Sequence, residues 1–590
     1  MLGTAAKPQT HQPRSRPKDA QDKSSSASRM ALLDSSKHSQ DSVLSGVNPD
    51  LASERLTASF SVEELTARLD GGAEHTRMRR AVVEAIEKDP VFSRENQYFQ
   101  SQNERYEAAV KRAVYLQKKM REMGWTENGP EVKYIYRCLS GDIAFSLHRI
   151  FMRSISVLGS DKQVAKWIPL ATEYQIIGTY AQTELGHGVY TEHTKDLCSE
   201  VVAWRHGKVS NPHRGLCSAV RPWEVLRSAP LHRADTQPSG PFAMPREQEA
   251  KILDYQTQQQ KLLPQLAAAY AFHFINIYLH ELFNRGYQEI QGRNFDSLPE
   301  LHAFSSGFKA IVTQYCTSGL EICLRACGGH GYSQLSGLPS LYTRALASCI
   351  YEGENTVLFL QTARFLIKCF MAASAGQPIP PSVTYLSSMK PRNCPAKDKL
   401  DFLSPDIYLK AYEQTAIRLL SSSAAKLQHL IQSGVEKHEA WNQCTVQLVK
   451  AAKAHCHYIT VKNFVETVEK LDNKAGIQKI MKHLCDLFAL HGIFSNAGDF
   501  LYDGYLSGAQ IDLVTASYLD LLAVIRKDAV PLVDAFDFTD KSLNSALGSY
   551  DGQVYQRLYE WAQKSPTNQQ VNPAYGKYLK PLLQNKLSKL

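Results

Sequence analysis

Several features that this sequence lacks exclude whole classes of protein. None of its 12 cysteines forms a Cys-x-x-Cys pair, and the first residues do not have the pattern of a secretory leader, which argues against a disulfide framework or a zinc ribbon. No uninterrupted apolar run reaches ~18 residues, so no membrane span is expected. HExxH, P-loop and GxGxxG motifs are also absent. We therefore expect a soluble globular protein with reduced thiols.

The charge pattern narrows the choice of partners. The formal net charge is +9 on 590 residues, and the basic residues are spread along the chain rather than clustered. A nucleic-acid partner is therefore not expected, while an acidic substrate such as a CoA ester is compatible with this charge. The length allows about three or four domains.

Two groups of potential metal ligands are better explained by packing. Cys316, Cys323 and Cys327 share one face of a predicted helix, where small apolar core packing is favoured over metal binding. His455 and His457 have no accompanying set of ligands. No metal is expected.

The chain ends in Ser588-Lys589-Leu590, the tripeptide that the peroxisomal import receptor reads at a C-terminus. This motif predicts the peroxisomal matrix as the location and the import receptor as a partner.

Helical periodicity dominates the chain and sets its predicted organisation. Ser61 and Ser404 are predicted N-caps, with Glu64 completing a capping box and Pro405 in the first turn of its helix. Periodicity is lost in a segment rich in proline, arginine and histidine. The predicted parts are a disordered extension (1–50), a helical domain (51–188), an irregular segment (189–247), a helical bundle (248–374), a proline-rich linker (375–403) and a second helical domain (404–590).

One carboxylate lies in an unusual place, in the stretch "CIYEGENTVLFLQTARFLI". Asn355 or Thr356 is predicted to cap the helix that follows, which puts Glu352 just before the helix N-terminus. The helix dipole favours the anion and apolar neighbours favour the neutral acid, a balance that suits a general base. The alternative is an exposed acid that helps to cap the helix.

Three stretches together resemble the acyl-CoA oxidases, and most closely their branched-chain members: "TYAQTELGHG", "RACGGHGYSQLSGLPSL" and "YEGENTVLFLQTAR". The resemblance covers residues 51–188 and 249–590. It implies a mainly α fold built of acyl-CoA dehydrogenase/oxidase-like helical bundles.

The resemblance also implies an activity. FAD would take hydrogen from an acyl-CoA, 2-methyl-branched or of the bile-acid type, to give the trans-2-enoyl-CoA, and O2 would be reduced to H2O2. Glu352 matches the family's catalytic base, and a homodimer would complete the flavin site.

Six further residues match cofactor positions of the family. Thr183 corresponds to a flavin contact. Gly328, Gly329 and Gly331 would let the backbone approach the cofactor, although glycines here equally serve as a helix stop. Gln256 and Gln259 would contact phosphate or ribose from a partner subunit, although solvated helix amides are an open alternative.

The sequence departs from the family in its middle. The family has a mostly β domain of about a hundred residues or more, an ordinary domain size, where this chain has residues 189–247 without strand alternation. We therefore expect a short irregular segment in place of the β domain. An alternative function follows: a flavin-deficient, catalytically impaired splice variant or gene model that acts as an interaction partner of complete oxidase subunits.

Overall fold

Helices form most of the protein, as the periodic apolar patterns predict. The computed structural model describes residues 46–126, 129–139, 144, 148–179, 233–234, 250–292, 294–387, 393–472 and 476–584. The predictions for Thr183, for Ser588-Lys589-Leu590 and for most of 189–247 lie outside these residues.

The N-terminal helices begin at side-chain caps. Ser61 accepts a hydrogen bond from the Glu64 amide, as predicted, and Gly71, at φ 90°, ends the same helix. The Glu64 carboxylate accepts from Arg68. The helices of this part are α1 (Pro49–Leu56), α2 (Val62–Asp70), α3 (Ala73–Glu87), α4 (Gln102–Glu122), α5 (Val132–Leu139), α6 (His148–Leu158) and α7 (Asp161–Thr172).

A short antiparallel pairing precedes the central helices. Strand β1 (Arg233–Ala234) pairs with β2 (Ala250–Lys251), with Arg233 opposite Lys251. β1 falls within the segment that the sequence predicts to be irregular, where two residues are too few to give a period-2 pattern.

The central helices include an antiparallel pair that runs the length of this part. They are α8 (Gln256–Gln291), α9 (Leu298–Ala326), α10 (Gly329–Tyr332), α11 (Leu338–Ser348) and α12 (Asn355–Ser374). A Cβ built on Gly319 of α9 would meet the Gln265 side chain of α8, and one built on Gly286 of α8 would meet Leu301 of α9. These two approaches show that α8 and α9 run in opposite directions.

The C-terminal part adds a second set of long helices. Ser404 occupies the N-cap of its helix and Pro405 the first helical position, as predicted, but the Ser404 side chain makes no capping hydrogen bond. The helices are α13 (Pro405–Gln432), α14 (Lys437–Glu469), α15 (Ile477–Ser495), α16 (Ala497–Leu501), α17 (Gly508–Arg526), α18 (Ala529–Asp534), α19 (Asp540–Leu543), α20 (Val554–Gln563), α21 (Pro566–Gln569) and α22 (Lys580–Leu583).

One large hydrophobic core joins the central and C-terminal helices. Its largest fully buried side chains include Tyr270, Phe308, Phe359 and Tyr408. Cys316 and Cys323 lie in this core, as the packing interpretation predicts. A smaller separate core forms between α3, α4 and α5.

Length and composition alone would allow some of these helices to cross a membrane. In the described part of the chain three helical stretches meet that criterion: Gln256–Glu289, Asn355–Ser374 and Gly508–Arg526. None of these three stretches is an uninterrupted apolar run, because polar residues interrupt each of them. All three helices contribute side chains to the large core.

Ion pairs connect the N-terminal helices to the C-terminal part of the structure, near residues 526–537. Arg55 of α1 contacts Asp534 of α18 at 2.7 Å, and Arg526 of α17 contacts Glu54 at 2.7 Å. Arg79 of α3 bonds Asp537 at 2.6 Å. Glu54, Arg79 and Asp534 are buried, and Glu54 and Arg79 each have a second partner, Lys251 and Asp70. Removal of Arg55 would therefore leave the buried charge of Asp534 uncompensated by an ion pair.

Candidate active site

Glu352 lies in a tight chain reversal between α11 and α12. The Asn355 amide donates to the Cys349 carbonyl at 3.3 Å and closes the reversal. Glu352 has φ 59° and Gly353 has φ 101°. A positive φ is unfavourable for a residue with a Cβ, by about 1–3 kcal/mol, and persists only where neighbouring contacts fix it. The reversal is therefore held by its surroundings.

The cap of α12 is neither of the residues that the sequence predicts. Glu354 is the N-cap, and its carboxylate accepts from the amides of Thr356 at 2.8 Å and Val357 at 3.3 Å. A carboxylate at this place adds charge to the capping bond at the positive end of the helix dipole. Asn355 is instead the first helical residue and is buried. Capping, the alternative role for Glu352, is thus performed by Glu354.

A buried lysine forms hydrogen bonds to the reversal from the core side. Lys309 of α9 is fully buried, and its ammonium donates to the Gly353 carbonyl at 2.6 Å and to Asn355 Oδ1 at 3.1 Å. The side-chain nitrogen of Asn355, Nδ2, donates in turn to the Ala310 carbonyl and to Thr313 Oγ1, both at 3.1 Å. Sequence reasoning missed Lys309, for which the available signal was one charge inside the apolar stretch "GFKAIV".

The rim of the reversal is more open than its floor. Ile350 and Tyr351 are 66% and 42% exposed, whereas Glu352 and Gly353 are half-buried. The carboxylate therefore lies between an apolar, accessible edge and a polar, buried network.

The three glycines of the predicted cofactor turn have different roles. Gly328 has φ 57° and follows Cys327, the C-cap of α9. A Cβ built on Gly328 or Gly329 would meet nothing within 4 Å, whereas one on Gly331 would lie 1.9 Å from the Leu324 carbonyl oxygen. Gly331 is therefore needed for packing, and Gly328 and Gly329 form the open part of the turn.

The two glutamines also differ. Gln256 is exposed at the start of α8, where the helix dipole favours anions. Gln259 is buried, and its side-chain amide donates to the carbonyls of Leu253 at 3.2 Å and Asp254 at 3.3 Å. Gln259 thus holds the start of the helix, and Gln256 faces outward.

The antiparallel helix pair brings some of these residues together and separates others. Because Gln265 lies beside Gly319, the start of α8 and the end of α9 are at the same end of the pair, and Gln256 shares that end with Gly328 and Gly329. Lys309 lies 17 residues before Ala326, the last residue of α9, a distance of ~25 Å at about 1.5 Å per residue. Within one chain, Glu352 and the glycine turn are therefore too far apart for one planar ring system to contact both.

Three family models match successive stretches of the chain. The N-terminal domain of acyl-coenzyme A oxidase matches residues 61–177, the acyl-CoA oxidase C-alpha1 domain matches 232–367, and the acyl-CoA oxidase model matches 404–584. The motifs that carried the resemblance, apart from "TYAQTELGHG", lie within the second of these stretches.

Known relatives cover nearly the whole chain. The sequence is 44% identical to peroxisomal acyl-coenzyme A oxidase 2 of Oryctolagus cuniculus, over 92% of this chain and 98% of that protein. It is 35% identical to peroxisomal acyl-coenzyme A oxidase 1 of Phascolarctos cinereus, over 92% and 100%. The crystal structure of acyl-CoA oxidase-2 of Caenorhabditis elegans, bound with FAD, ascaroside-CoA and ATP, is similar with a TM-score of 0.83 and 25% identity, over 92% and 98%.

The alignment also measures what this chain lacks. It extends over 666 positions of the Oryctolagus comparison, whereas 92% of 590 residues is about 543, so about 120 positions of that protein have no counterpart here. This shortfall is comparable in size to a middle domain of about a hundred residues; its place in the chain stays a prediction. The helical fold predicted from the motifs is confirmed by the structural neighbours. The chain belongs to the acyl-CoA oxidase family of flavin-dependent oxidoreductases.

Proposed function

We propose that this protein is a peroxisomal, FAD-dependent acyl-CoA oxidase in which Glu352 removes the α-proton of the acyl-CoA. The observation that carries this assignment is the division of labour between two neighbouring acids. Glu354 accepts the first amides of α12, so that capping does not require the Glu352 carboxylate. A half-buried carboxylate beside an accessible apolar rim is a suitable general base for a weakly acidic carbon.

The chain's own residues would perform the proton transfer. Glu352 would accept the α-proton of the thioester at its carboxylate, beside the exposed apolar side chains of Ile350 and Tyr351. When bound, FAD would accept the β-hydrogen as a hydride and pass the electrons to O2, giving the trans-2-enoyl-CoA and H2O2. The Lys309 and Asn355 network would keep the carboxylate of Glu352 in place.

The open end of the α8 and α9 pair fits part of a dinucleotide. An exposed helix N-terminus with the Gln256 amide, beside the open backbone of Gly328 and Gly329, suits phosphate or ribose groups. Because this end is ~25 Å along α9 from Lys309, we propose a homodimer in which each copy contributes this end to the flavin site of the other. Thr183 remains the predicted flavin contact.

The relatives and the chain terminus support the proposed substrate type and location. Identity is higher to the acyl-coenzyme A oxidase 2 protein, at 44%, than to the oxidase 1 protein, at 35%. Together with the branched-chain resemblance, this favours 2-methyl-branched or bile-acid-type acyl-CoA. Both relatives are named peroxisomal, which supports import through Ser588-Lys589-Leu590.

The proposal is tested with purified protein and a matched pair of variants. The flavin absorbance per subunit is recorded, and H2O2 production is measured with a 2-methyl-branched acyl-CoA. Glu352→Gln should lower the rate by at least about 10²–10⁴-fold while flavin and acyl-CoA still bind, because the amide has the same shape and no useful basicity. Glu354→Gln, two residues away, should keep the activity and lose only part of the helix cap.

Two results would contradict the proposal. An active Glu352→Gln variant would remove Glu352 from the reaction. A folded wild-type chain without flavin and without peroxide production would favour the alternative, an impaired variant that associates with complete oxidase subunits.

A further inference from the structure

Lys309 is a charged residue in a position that would ordinarily be apolar. It is fully buried in the middle of α9, and its neighbours along the helix, Phe308 and Ala310, belong to the hydrophobic core. Lysine is almost never fully buried unless it is paired, because its charge loses the solvation of water. A methionine or leucine would fill the same space without that cost, so the position calls for a specific reason.

Two hydrogen bonds of the Lys309 ammonium lead to the reversal that carries Glu352. The ammonium donates to the carbonyl of Gly353, the residue directly after Glu352, at 2.6 Å. It also donates to Asn355 Oδ1 at 3.1 Å, and the same oxygen accepts from Thr313 Oγ1 at 3.2 Å. Two residues of α9 therefore hold the first residue of α12.

The backbone at the reversal needs such a hold. Glu352 and Gly353 both have positive φ, and of the two only Gly353 is free of the steric penalty of a side chain. Glu354 fixes the start of the helix on one side. Lys309 fixes the peptide between Gly353 and Glu354 on the other, directly after Glu352.

We propose that Lys309 is a positioning residue that holds the Glu352 carboxylate in the orientation required for proton abstraction. This inference rests on the proposed role of Glu352 as base. Proton transfer requires the base within hydrogen-bond reach of the α-carbon proton, and a displacement of about 1 Å lowers the rate by ~10²-fold. Lys309 itself lies beneath the reversal, on the buried side.

The test compares Lys309→Met with Thr362→Val by hydrogen exchange and by kinetics. Methionine keeps the length of the side chain and removes the donor. Thr362 is equally buried where α12 meets α9, and its hydroxyl donates to the Ala303 and Leu358 carbonyls rather than to the reversal. Amide exchange in residues 349–357 should rise about tenfold or more in the Lys309→Met protein and stay unchanged in the Thr362→Val protein.

In the active holoenzyme, the Lys309→Met protein should lose kcat by about 10–100-fold with KM and flavin content within about twofold of wild type. The deuterium isotope effect for substrate labelled at the α-carbon should rise, since proton abstraction becomes slower. If the methionine protein does not fold, Lys309→Gln, which keeps a neutral donor, is used instead. Its amide exchange at the same residues should rise above that of the wild type, by less than about tenfold.

Unchanged exchange at 349–357 in a folded Lys309 variant would overturn the inference, as would an unchanged kcat despite faster exchange. Equal losses of kcat in the Lys309 and Thr362 variants would show general destabilisation and would overturn it as well. Exchange is measured without substrate. A wild-type chain that lacks oxidase activity would therefore contradict the proposed function, while the exchange data would still show whether Lys309 stabilises the reversal.

Discussion

At the scale of single residues, Gly329 and Gly331 differ in what an added methyl group would meet. A Cβ at Gly331 would overlap the Leu324 carbonyl oxygen, which is backbone and cannot move aside, whereas one at Gly329 would enter open space. We expect Gly331→Ala to lower the free energy of unfolding by about 1–3 kcal/mol, which in a chain of 590 residues lowers the melting temperature by about 1–2 °C. Gly329→Ala should leave the melting temperature unchanged and weaken flavin binding.

Thermal unfolding and flavin titration of the two variants check this prediction. Equal melting temperatures for both would show that the turn adapts to a side chain. Unchanged flavin affinity in Gly329→Ala would remove the open part of the turn from the cofactor site.

The residue scale also shows what sequence reasoning can reach. The position of Glu352 before a helix follows from the apolar stripe of α12 and from the motif. The identity of the cap does not follow, because Asn355 and Thr356 are both residue types that favour the N-cap position. In the structure Glu354 is the N-cap, and the Asn355 side chain instead contacts Lys309. Long-range contacts decide such local details.

At the scale of elements, helix α14 carries two histidines, His455 and His457, that make stability depend on pH. Burial lowers the pKa of His455 to about 3 and that of His457 to about 4; the His455 ring hydrogen-bonds to Tyr385 and the His457 ring to Tyr315. Below pH 6.5 the unfolded chain takes up protons that these imidazoles do not. The free energy of unfolding should therefore fall between pH 6.5 and about 4, by about 1.4 kcal/mol per pH unit for each histidine.

Asp486 of α15 acts in the opposite direction. Burial raises its pKa to about 6, so between about pH 6 and 3.8 the folded protein holds a proton that the unfolded chain releases. Urea unfolding at pH 7.5, 6.5, 5.5 and 4.5 measures the balance. His455→Gln with His457→Gln should flatten the fall in stability, and Asp486→Asn should steepen it; an unaltered pH dependence in both would contradict the assignment.

The helices themselves were predictable, since the stripe of apolar residues and caps such as Ser61 are local signals. Their arrangement was not. The antiparallel contact of Gln265 with Gly319 joins residues far apart in sequence, and it decides that Gln256 lies near Gly328 while Glu352 does not. A period in one helix shows which face is buried, but not which helix covers it.

At the scale of the whole molecule, location should depend on the last three residues. Deleting Ser588-Lys589-Leu590 from a tagged chain should leave it in the cytosol, because the import receptor reads the tripeptide at the free C-terminus. Fluorescence microscopy in cells that lack the native oxidase checks this. Peroxisomal signal from the deleted chain would indicate entry together with a partner protein.

The ion pair between Arg55 and Asp534 has a consequence for how the protein is made. The two residues are 479 positions apart, so α1 cannot reach its partner until nearly the whole chain has been synthesised. At about 5–20 residues per second, the ribosome needs roughly 25–95 s for that interval. During this time Arg55 of α1 lacks the carboxylate of Asp534, and Arg79 of α3 has Asp70 as a partner but not Asp537. The first helices to emerge are thus among the last to be completed, and nascent chains should depend on chaperones for that interval.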